Sequence, residues 1–309
     1  MIQKHLEKMQ KLLQVASITK KITLALIGLF LILFLLTHLG INLCLLRSDG
    51  GLWFHNAAHF MGTNVIVKVM EVGLFASIGL HILIALLIQF HNWRSRPVGY
   101  ASGNKSKTAF GSKFMIWSGI VVALFLAIHM VHFWFAKVGW AEGRYAIKIE
   151  NVEKAFGAKQ YALSNAYMDA VSDDELIRIE MEFMALNSSI ESNENLQILI
   201  FPGHAGQRFI TDLSKAEVEE IRAFLDVKYE PDFYAMAREL FKIEWVVLLY
   251  LISMIALGFH LAHAFPSAFQ TLGLVHSKYT WIIKIVGIGF AAIVSVGFAI
   301  IPVFFYFFK

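Results

Sequence analysis

Five long, continuously apolar stretches constrain the fold of this chain more than any other feature of its sequence. They are, in chain order, Ile22–Leu46, Val65–Phe90, Phe114–Ala136, Trp245–Phe265 and Trp281–Phe308. A bilayer core is about 30 Å thick, and one helical crossing of it needs roughly 20 apolar residues. Because a segment in lipid must satisfy its own backbone hydrogen bonds, each stretch predicts a helix. We therefore predict an all-α integral membrane protein with five transmembrane helices, the first of which is too long to be a removable signal.

Basic residues concentrate on one side of the predicted spans. Five precede the first span and five lie between the second and third, namely Lys4, Lys8, Lys11, Lys20, Lys21, Arg94, Arg96, Lys105, Lys107 and Lys113. The loop between the first and second spans carries Arg47, which Asp49 balances. Cytoplasmic loops are enriched in Lys and Arg. We therefore expect a cytoplasmic N-terminus and, after five crossings, an external C-terminus.

The acidic residues concentrate between the third and fourth spans. Residues 138–243 contain 19 of the 23 acidic residues but only 11 of the 27 basic ones. The net charge of +4 is therefore a signal of membrane topology and does not indicate nucleic-acid binding. The orientation places 138–243 outside the cytoplasm. Because long unstructured loops are uncommon, we expect a small, mainly helical extracytoplasmic insert.

Local signals predict the elements of this insert. Ser172 with Glu175 and Ser214 with Glu217 form two capping boxes, each of which predicts a helix start. The apolar run Leu196–Phe201, ended by a Pro-Gly pair, predicts one short strand. The predicted organisation is a cytoplasmic N-terminal segment, spans one to three, the insert, and spans four and five, at 1–21, 22–137, 138–243 and 244–309.

Spans one to four each carry a histidine near the middle of the membrane, where ionisable residues are costly and usually functional. These residues are His38, His81, His129 and His260. At 1.5 Å per residue each lies about 5–7 Å from the centre of its span. His38 and His129 are displaced outward, and His81 and His260 inward. In a four-helix up-and-down bundle, spans one and three face each other, as do two and four, so each layer offers two opposed imidazoles.

Two opposed neutral imidazoles are the ligands that a six-coordinate haem iron needs for electron transfer. The two layers are about 12 Å apart by helix rise, which permits two haems on one path across the membrane. The single cysteine, Cys44, excludes both a C-x-x-C-H attachment motif and an iron–sulfur cluster held by this chain. We therefore expect non-covalent b haems with the four histidines as axial ligands.

Some neighbouring residues leave alternatives open. His132 and His263 each follow a favoured ligand by three residues, and they are either rival ligands or interfacial histidines. Glycines flank the ligand positions at Gly40, Gly79 and Gly258. They either admit a flat macrocycle or serve as small residues at ordinary contacts between membrane helices.

At these residues the sequence resembles the cytochrome b membrane-anchor subunits of succinate dehydrogenase and fumarate reductase, in the five-helix, two-haem type. The resemblance rests on the order and spacing of Ala16-Ser-Ile-Thr-Lys-Lys21, Thr37-His-Leu39, Asn56-Ala-Ala-His-Phe-Met61, Gly79-Leu-His81, Arg96-Pro97, Met115-Ile-Trp-Ser-Gly119, Ile128-His129, Gly258-Phe-His-Leu-Ala-His263 and Ser267-Ala-Phe-Gln-Thr-Leu-Gly273. It covers all five spans. It implies an outer haem b on His38 and His129 and an inner haem b on His81 and His260, in agreement with the depth argument.

The resemblance also implies partners and a location. The chain has no dinucleotide fingerprint and no cysteine cluster, so succinate or fumarate chemistry would belong to a flavoprotein subunit and an iron–sulfur subunit on the cytoplasmic face. This chain would supply haem ligands, insulation and a site for quinone, by family type menaquinone. The implied location is the bacterial cytoplasmic membrane.

Two features depart from the family pattern. The extracytoplasmic stretch at about residues 150–228 is far longer than the family's short loop. Some fumarate reductases of this type also carry a proton-carrying acidic residue two positions before the last haem ligand, where this chain has Gly258. That route for protons is therefore in doubt here.

Four further residues outside the two histidine layers are considered for roles in quinone proton exchange or in binding. Glu71 lies about 10 Å into the second span by helix rise, level with His38. It is a candidate for proton exchange with quinone, or else it simply pairs with Lys68. His55 and His59 lie in the outer loop and are read as solvated or structural, while His204 is read as part of a turn.

Two other functions compete with this interpretation. Bis-histidine haem sites recur on unrelated helical bundles, so spacing alone does not exclude a second, less favoured function, the cytochrome b subunit of a hydrogenase or formate dehydrogenase. A haem-free transporter with a histidine relay is the other alternative. It is less favoured because the sequence has no inverted repeat or interrupted half-helices of the kind that transporters show.

Overall fold

The structure, a computed structural model, describes residues 2–94, 110–192 and 209–308. The chain divides into two compact units, one formed by Met1–Ile128 with Phe241–Lys309 and the other by His129–Leu240. The first unit contains most of the apolar helices. The second contains the end of the third apolar helix and a mixed helix and strand segment.

Five helices are long and apolar enough to cross a membrane, which confirms the prediction of a multi-pass, mainly helical membrane protein. Their apolar parts are Ile18–Leu46, Val65–Arg94, Phe114–Lys137, Glu244–Thr271 and Thr280–Phe308, each within a few residues of the predicted bounds except at the end of the fourth. The helices are α1 (Ile2–Leu43), α3 (Val65–Arg94), α4 (Phe110–His129), α10 (Glu244–Thr271) and α11 (Thr280–Phe308). Helix α1 includes the basic N-terminal segment, so its 42 residues span about 63 Å.

The connection between the first two spans is a helix rather than the expected loop. A 3-10 turn at Cys44–Leu46 ends the first span, and α2 (Leu52–Thr63) follows two glycines with positive φ, Gly50 and Gly51. Asn64 caps α3 because its side-chain oxygen accepts a hydrogen bond from the N–H of Ile66 at 2.9 Å.

The buried core of the first unit is formed mainly by the first, fourth and fifth spans. It comprises Ile32, Leu39, Met254, Leu257, Leu261, Ala291 and Val294, with Val122 and Phe125 of α4 packed against it. The contact between the first and fifth spans is close: a Cβ on Gly297 would lie 2.9 Å from Cδ1 of Leu39. Gly273, which has a φ of 76°, lies two residues beyond the end of α10, and the N–H of Leu274 donates to the carbonyl of Phe269 at 2.9 Å. This is the pattern of a glycine-terminated helix.

The second unit begins with the last turns of the third span and continues into strands and helices. A π-helical turn, Met130–Trp134, is followed by α5 (Phe135–Lys137). The strands β1 (Tyr145–Lys148), β2 (Phe209–Leu213) and β3 (Tyr229–Pro231) form an antiparallel sheet with the order β2-β1-β3. The helices are α6 (Ile149–Asp169), α7 (Asp173–Ser192), α8 (Lys215–Phe224) and α9 (Phe233–Leu240).

The described part of the second unit contains three strands that the sequence did not indicate. The predicted strand Leu196–Phe201 and the turn residue His204 lie outside the described residues, while the three strands observed are elsewhere in the chain. Both predicted helix starts are confirmed: α7 begins after Ser172 and α8 after Ser214. At α8 the capping box is complete, with Ser214 accepting from the N–H of Glu217 and the Glu217 carboxylate accepting from the N–H of Ser214.

One buried carboxylate joins the sheet to α9. Asp232 has no exposed surface, and its two oxygens accept hydrogen bonds from the N–H groups of Asp212 and Ala235, both at 2.9 Å. The first bond holds Asp212 in the left-handed conformation, at φ 63°, and the second caps the start of α9. The Asp212 carboxylate in turn pairs with Arg238 and Arg144.

Candidate functional site in the membrane spans

The structure brings together the two histidines predicted for the inner layer. His81 of α3 and His260 of α10 face each other with ring centres 6.3 Å apart and ring planes inclined by 65°. Both side chains are half-buried. Nδ1 of His81 is buried and has no hydrogen-bond partner among the described residues. Buried ring nitrogens in proteins usually have a hydrogen-bond partner, so the unpaired Nδ1 indicates that His81 binds another group.

This spacing fits two axial ligands of one metal ion. A metal lies about 2 Å from a bound imidazole nitrogen and hence roughly 3 Å from the centre of that ring. Two rings on opposite sides of one ion therefore have centres roughly 6 Å apart, close to the 6.3 Å between His81 and His260. The described part of the chain holds no group of three or more His, Cys, Asp or Glu residues arranged to bind a metal by themselves. A haem iron needs only the two axial ligands from the protein.

The third span orients the ring of His260. Oγ of Ser118 lies 3.4 Å from Nδ1 of His260, and the Met115 carbonyl also forms a hydrogen bond with this ring. The hydroxyl of Ser118 donates to the same carbonyl at 3.0 Å. A Cβ on Gly119 would lie 3.4 Å from Cε1 of His260, so the glycine gives the ring room beside α4. The Ser118 contact engages Nδ1, and a metal-binding histidine usually uses one ring nitrogen for such a partner and the other for the metal.

The two histidines of the predicted outer layer have defined surroundings of their own. His38 stacks on Phe34 with a ring-centre distance of 5.2 Å and packs against Phe298 of α11 at 5.5 Å. The side-chain nitrogen of Asn42 lies 3.3 Å from Nδ1 of His38 and donates to its carbonyl at 2.7 Å. His129, the last residue of α4, belongs to the second unit, where it packs against Phe133 at 5.1 Å. The pairing of His38 with His129 stays a prediction.

The rival ligand His132 lies in a local irregularity that the sequence did not indicate. It is the middle residue of the π-helical turn Met130–Trp134. Three residues of regular α-helix would have placed His132 on nearly the same face as His129, as we expected. A π turn has fewer degrees of rotation per residue, so regular α-helical geometry does not relate His132 to His129, and such turns are frequent at functional sites. His263 lies half-buried on α10, one turn beyond His260.

Gly258 has a packing role. A Cβ at this position would lie 2.7 Å from Oγ of Ser295 on α11, which is closer than real Cβ contacts allow. The small-residue alternative therefore applies to Gly258, which permits α10 and α11 to approach. Gly40 and Gly79 have no atom within 4 Å of a Cβ, so their surroundings do not require a glycine.

Three other candidates, Glu71, His55 and His59, are not part of the His81–His260 pair. Glu71 is half-buried on α3, and its predicted role in quinone proton exchange stays a prediction. His55 and His59 are on helix α2, not in a loop as expected, and His55 is only 3% exposed. Of the two expectations for His55, the structural one applies, because α2 buries it together with Phe54.

Sequence reasoning missed the residues that surround the histidines. Ser118 was not predicted because its contact with His260 depends on how two spans pack. Asn42 was not predicted either, although it follows His38 by four residues on the same helix. Tyr250 was missed as well. It is 6% exposed and lies edge-to-face against Phe125 and Phe241, both at 5.0 Å. A tyrosine inside an otherwise apolar span is a signal that could have identified it.

No family model, curated protein or solved structure matches this chain. The interpretation of the site therefore rests on its residues and their geometry.

Proposed function

We propose that the chain is the di-haem cytochrome b membrane anchor of a succinate:quinone oxidoreductase. In this role it transfers electrons between an iron–sulfur partner and a membrane quinone through two bis-histidine b haems. The observation that carries the proposal is the facing pair His81 and His260, whose 6.3 Å separation suits two axial ligands. The order and spacing of the family-like motifs along all five spans support it.

The proposal assigns distinct tasks to the residues of the site. His81 and His260 hold the inner b haem, and His38 and His129 hold the outer one. A b haem held by two of these histidines would supply reversible one-electron transfer. Ser118, through Nδ1, and the Met115 carbonyl hold the His260 ring in place. Phe34 and Phe298 restrict the ring of His38 by packing on it.

Proton exchange with quinone and two partner subunits complete the proposed function. Quinone reduction consumes protons, and Glu71 is proposed to exchange one with quinone, menaquinone by resemblance. A flavoprotein and an iron–sulfur subunit, docked on the basic cytoplasmic side of the spans, are proposed to carry out the succinate or fumarate chemistry. The bacterial cytoplasmic membrane, with the N-terminus inside, is the proposed location.

The decisive experiment is the haem content of the purified chain, measured by pyridine haemochrome together with a dithionite-reduced spectrum. We expect two b haems per polypeptide. Protein made with ample haem supply that contains none would contradict the proposal and favour a histidine relay in a transporter. Co-purification with a metal-containing dehydrogenase, instead of a flavoprotein, would favour the hydrogenase or formate dehydrogenase alternative.

Single replacements test the assignment of ligands. His81→Ala and His260→Ala should each remove the same one of two spectral components, because each variant leaves one haem with a single axial ligand. His38→Ala and His129→Ala should each remove the other component. His276→Ala is the matched control, since His276 lies in the connection between α10 and α11, and it should keep both haems. Loss of the same component in all four variants would contradict the two-layer pairing.

A further inference from the structure

The helical hairpin α6–α7 of the second unit has an apolar surface on both of its sides. On one side, Val152 and Leu163 of α6 and Ile179 and Leu186 of α7 are buried in the core of this unit. One apolar face on each helix is what the fold of the unit requires. A second apolar face on either helix is not needed for the fold of this unit and therefore indicates a contact outside it.

A second apolar face is present and is open to solvent. On α7 it consists of Ile177, Met181 and Met184, which follow the i, i+4, i+7 spacing of one helix face and are 53–63% exposed. On α6, Tyr161 and Met168 lie seven residues apart and are 70% and 83% exposed. The two helices form a groove of about 560 Å³, the hairpin groove, which is lined by Ser164, Tyr167, Met168, Glu180, Phe183 and Met184. Val171, at the tip of the hairpin, is 94% exposed.

Acidic side chains predominate on the hairpin that forms the groove, and one of them, Glu180, lines the groove itself. We call these carboxylates the acidic rim. Residues 161–184 contain six acidic residues and one basic residue. The acidic residues are Asp169, Asp173, Asp174, Glu175, Glu180 and Glu182, and all six are exposed. Across the described ranges, no ion pair involves Asp169, Asp173, Asp174, Glu180 or Glu182. An apolar groove with a rim of unneutralised carboxylates matches a surface that is apolar at its centre and positive at its edge.

We propose that the hairpin groove binds a basic amphipathic helix of a partner protein. A third helix laid along two antiparallel helices fills the groove between their apolar stripes, and its lysine or arginine residues neutralise the rim. Methionine side chains suit this contact because they adapt their shape to an apolar partner. A second copy of this chain would bring two negative rims together, and an anionic membrane surface would repel them. The inference is independent of the haem proposal.

The test uses the full-length chain in nanodiscs of zwitterionic phosphatidylcholine. A Cys44→Ser background allows a single environment-sensitive bimane label at Met168→Cys, beside the groove. A second labelled variant, Glu150→Cys, reports from the opposite end of α6, about 27 Å away by helix rise. The probes are a 21-residue peptide with three LKKLLKL repeats and its acidic counterpart with three LEELLEL repeats. Because the signal comes from the hairpin, binding of either peptide to lipid does not imitate the result.

We expect the lysine peptide to change the bimane emission at position 168 saturably, with no change at position 150 and none with the acidic peptide. Neutralising four rim carboxylates, by Asp169→Asn, Asp174→Asn, Glu180→Gln and Glu182→Gln together, should weaken the affinity by about tenfold or more, since each exposed ion pair contributes a little. Met181→Ser with Met184→Ser should also weaken it. These side chains are exposed, so the fold should survive.

Three results would overturn the proposal. Equal binding of both peptides would make the groove an unselective apolar surface. A change at position 168 that depends on protein concentration without peptide would identify a second copy as the occupant. A change that appears only when phosphatidylglycerol is added to the nanodisc would identify the membrane surface.

Discussion

At the scale of single residues, the contact between Ser118 and His260 is the clearest example of one span controlling a functional side chain of another. The hydroxyl lies 3.4 Å from Nδ1 of the imidazole and is itself bonded to the Met115 carbonyl. A hydrogen bond accepted from Nδ1–H increases the electron density on the ring and makes it a stronger ligand for an oxidised metal. Ser118 is therefore expected to act through His260, as a positioning residue.

Ser118→Ala should leave two b haems in the chain but raise the midpoint potential of one of them. Loss of a partner of this kind weakens metal binding by about tenfold. If the oxidised form alone is affected, tenfold corresponds to a rise of about 59 mV for a one-electron couple. A redox titration followed optically measures the change, and the second haem should keep its potential.

Ser253→Ala is the matched control for this experiment. Ser253 is buried on the same helix as His260, and its hydroxyl donates to the Leu249 carbonyl at 2.7 Å, away from any histidine. Its removal should leave both potentials unchanged. An unchanged titration in Ser118→Ala, or an equal shift in Ser253→Ala, would reduce Ser118 to an ordinary packing residue.

The histidines could be predicted from the sequence, whereas their partners could not. Depth in the membrane follows from counting residues along a span, and that count placed His81 and His260 in one layer. Whether Ser118 or a neighbouring residue of α4 meets His260 depends on the rotation of one helix relative to another. That rotation is set by packing contacts such as that of Gly119, which span length and composition do not reveal.

At the scale of elements, local signals predicted helix starts well and strands poorly. A capping box needs only two residues three positions apart, so both boxes of the second unit were recognisable. The sheet instead joins Tyr145 of β1 to Pro231 of β3, 86 positions later in the sequence. Such short strands exist because of non-local pairing, which local sequence signals do not reveal, and the predicted strand Leu196–Phe201 lies outside the described residues. The π turn at His132 is likewise a product of context.

Asp232→Ala should destabilise the second unit. The substitution removes the acceptor for two N–H groups, those of Asp212 and Ala235, in a site with no exposed surface. An N-cap and a buried hydrogen bond of this kind together contribute about 1–3 kcal/mol to the free energy of unfolding. Thermal unfolding followed by circular dichroism should show a lower midpoint for the variant.

Asp226→Ala provides the comparison for Asp232→Ala, because Asp226 lies close to it in sequence but is exposed. Its unfolding midpoint should match that of the unaltered chain. Equal midpoints for Asp232→Ala and Asp226→Ala would show that other contacts hold Asp212 in its left-handed conformation and that the cap of α9 contributes little.

At the scale of the whole molecule, a backbone hydrogen bond between Asp232 and Arg144 bounds a segment that can be removed and tested separately. The N–H of Asp232 donates to the carbonyl of Arg144 at 2.8 Å, so the chain leaves for the sheet and returns from it at neighbouring points. All strands, the hairpin α6–α7 and α8 lie between these two residues. All four predicted haem ligands lie outside this segment in the sequence.

Excision of residues 145–231, with Arg144 joined to Asp232 by two glycines, should therefore leave a membrane protein that still binds two b haems. The linker needs to bridge only the short distance between two residues that a backbone hydrogen bond already joins. It should therefore impose little strain on the helices that precede and follow it. The haemochrome assay and the reduced spectrum measure the result. Loss of one haem would indicate that the excised segment holds the turns around His129 in place. Loss of both would show that the segment supports all the spans, and the haem sites would then depend on the insert as much as on the helices that carry the histidines.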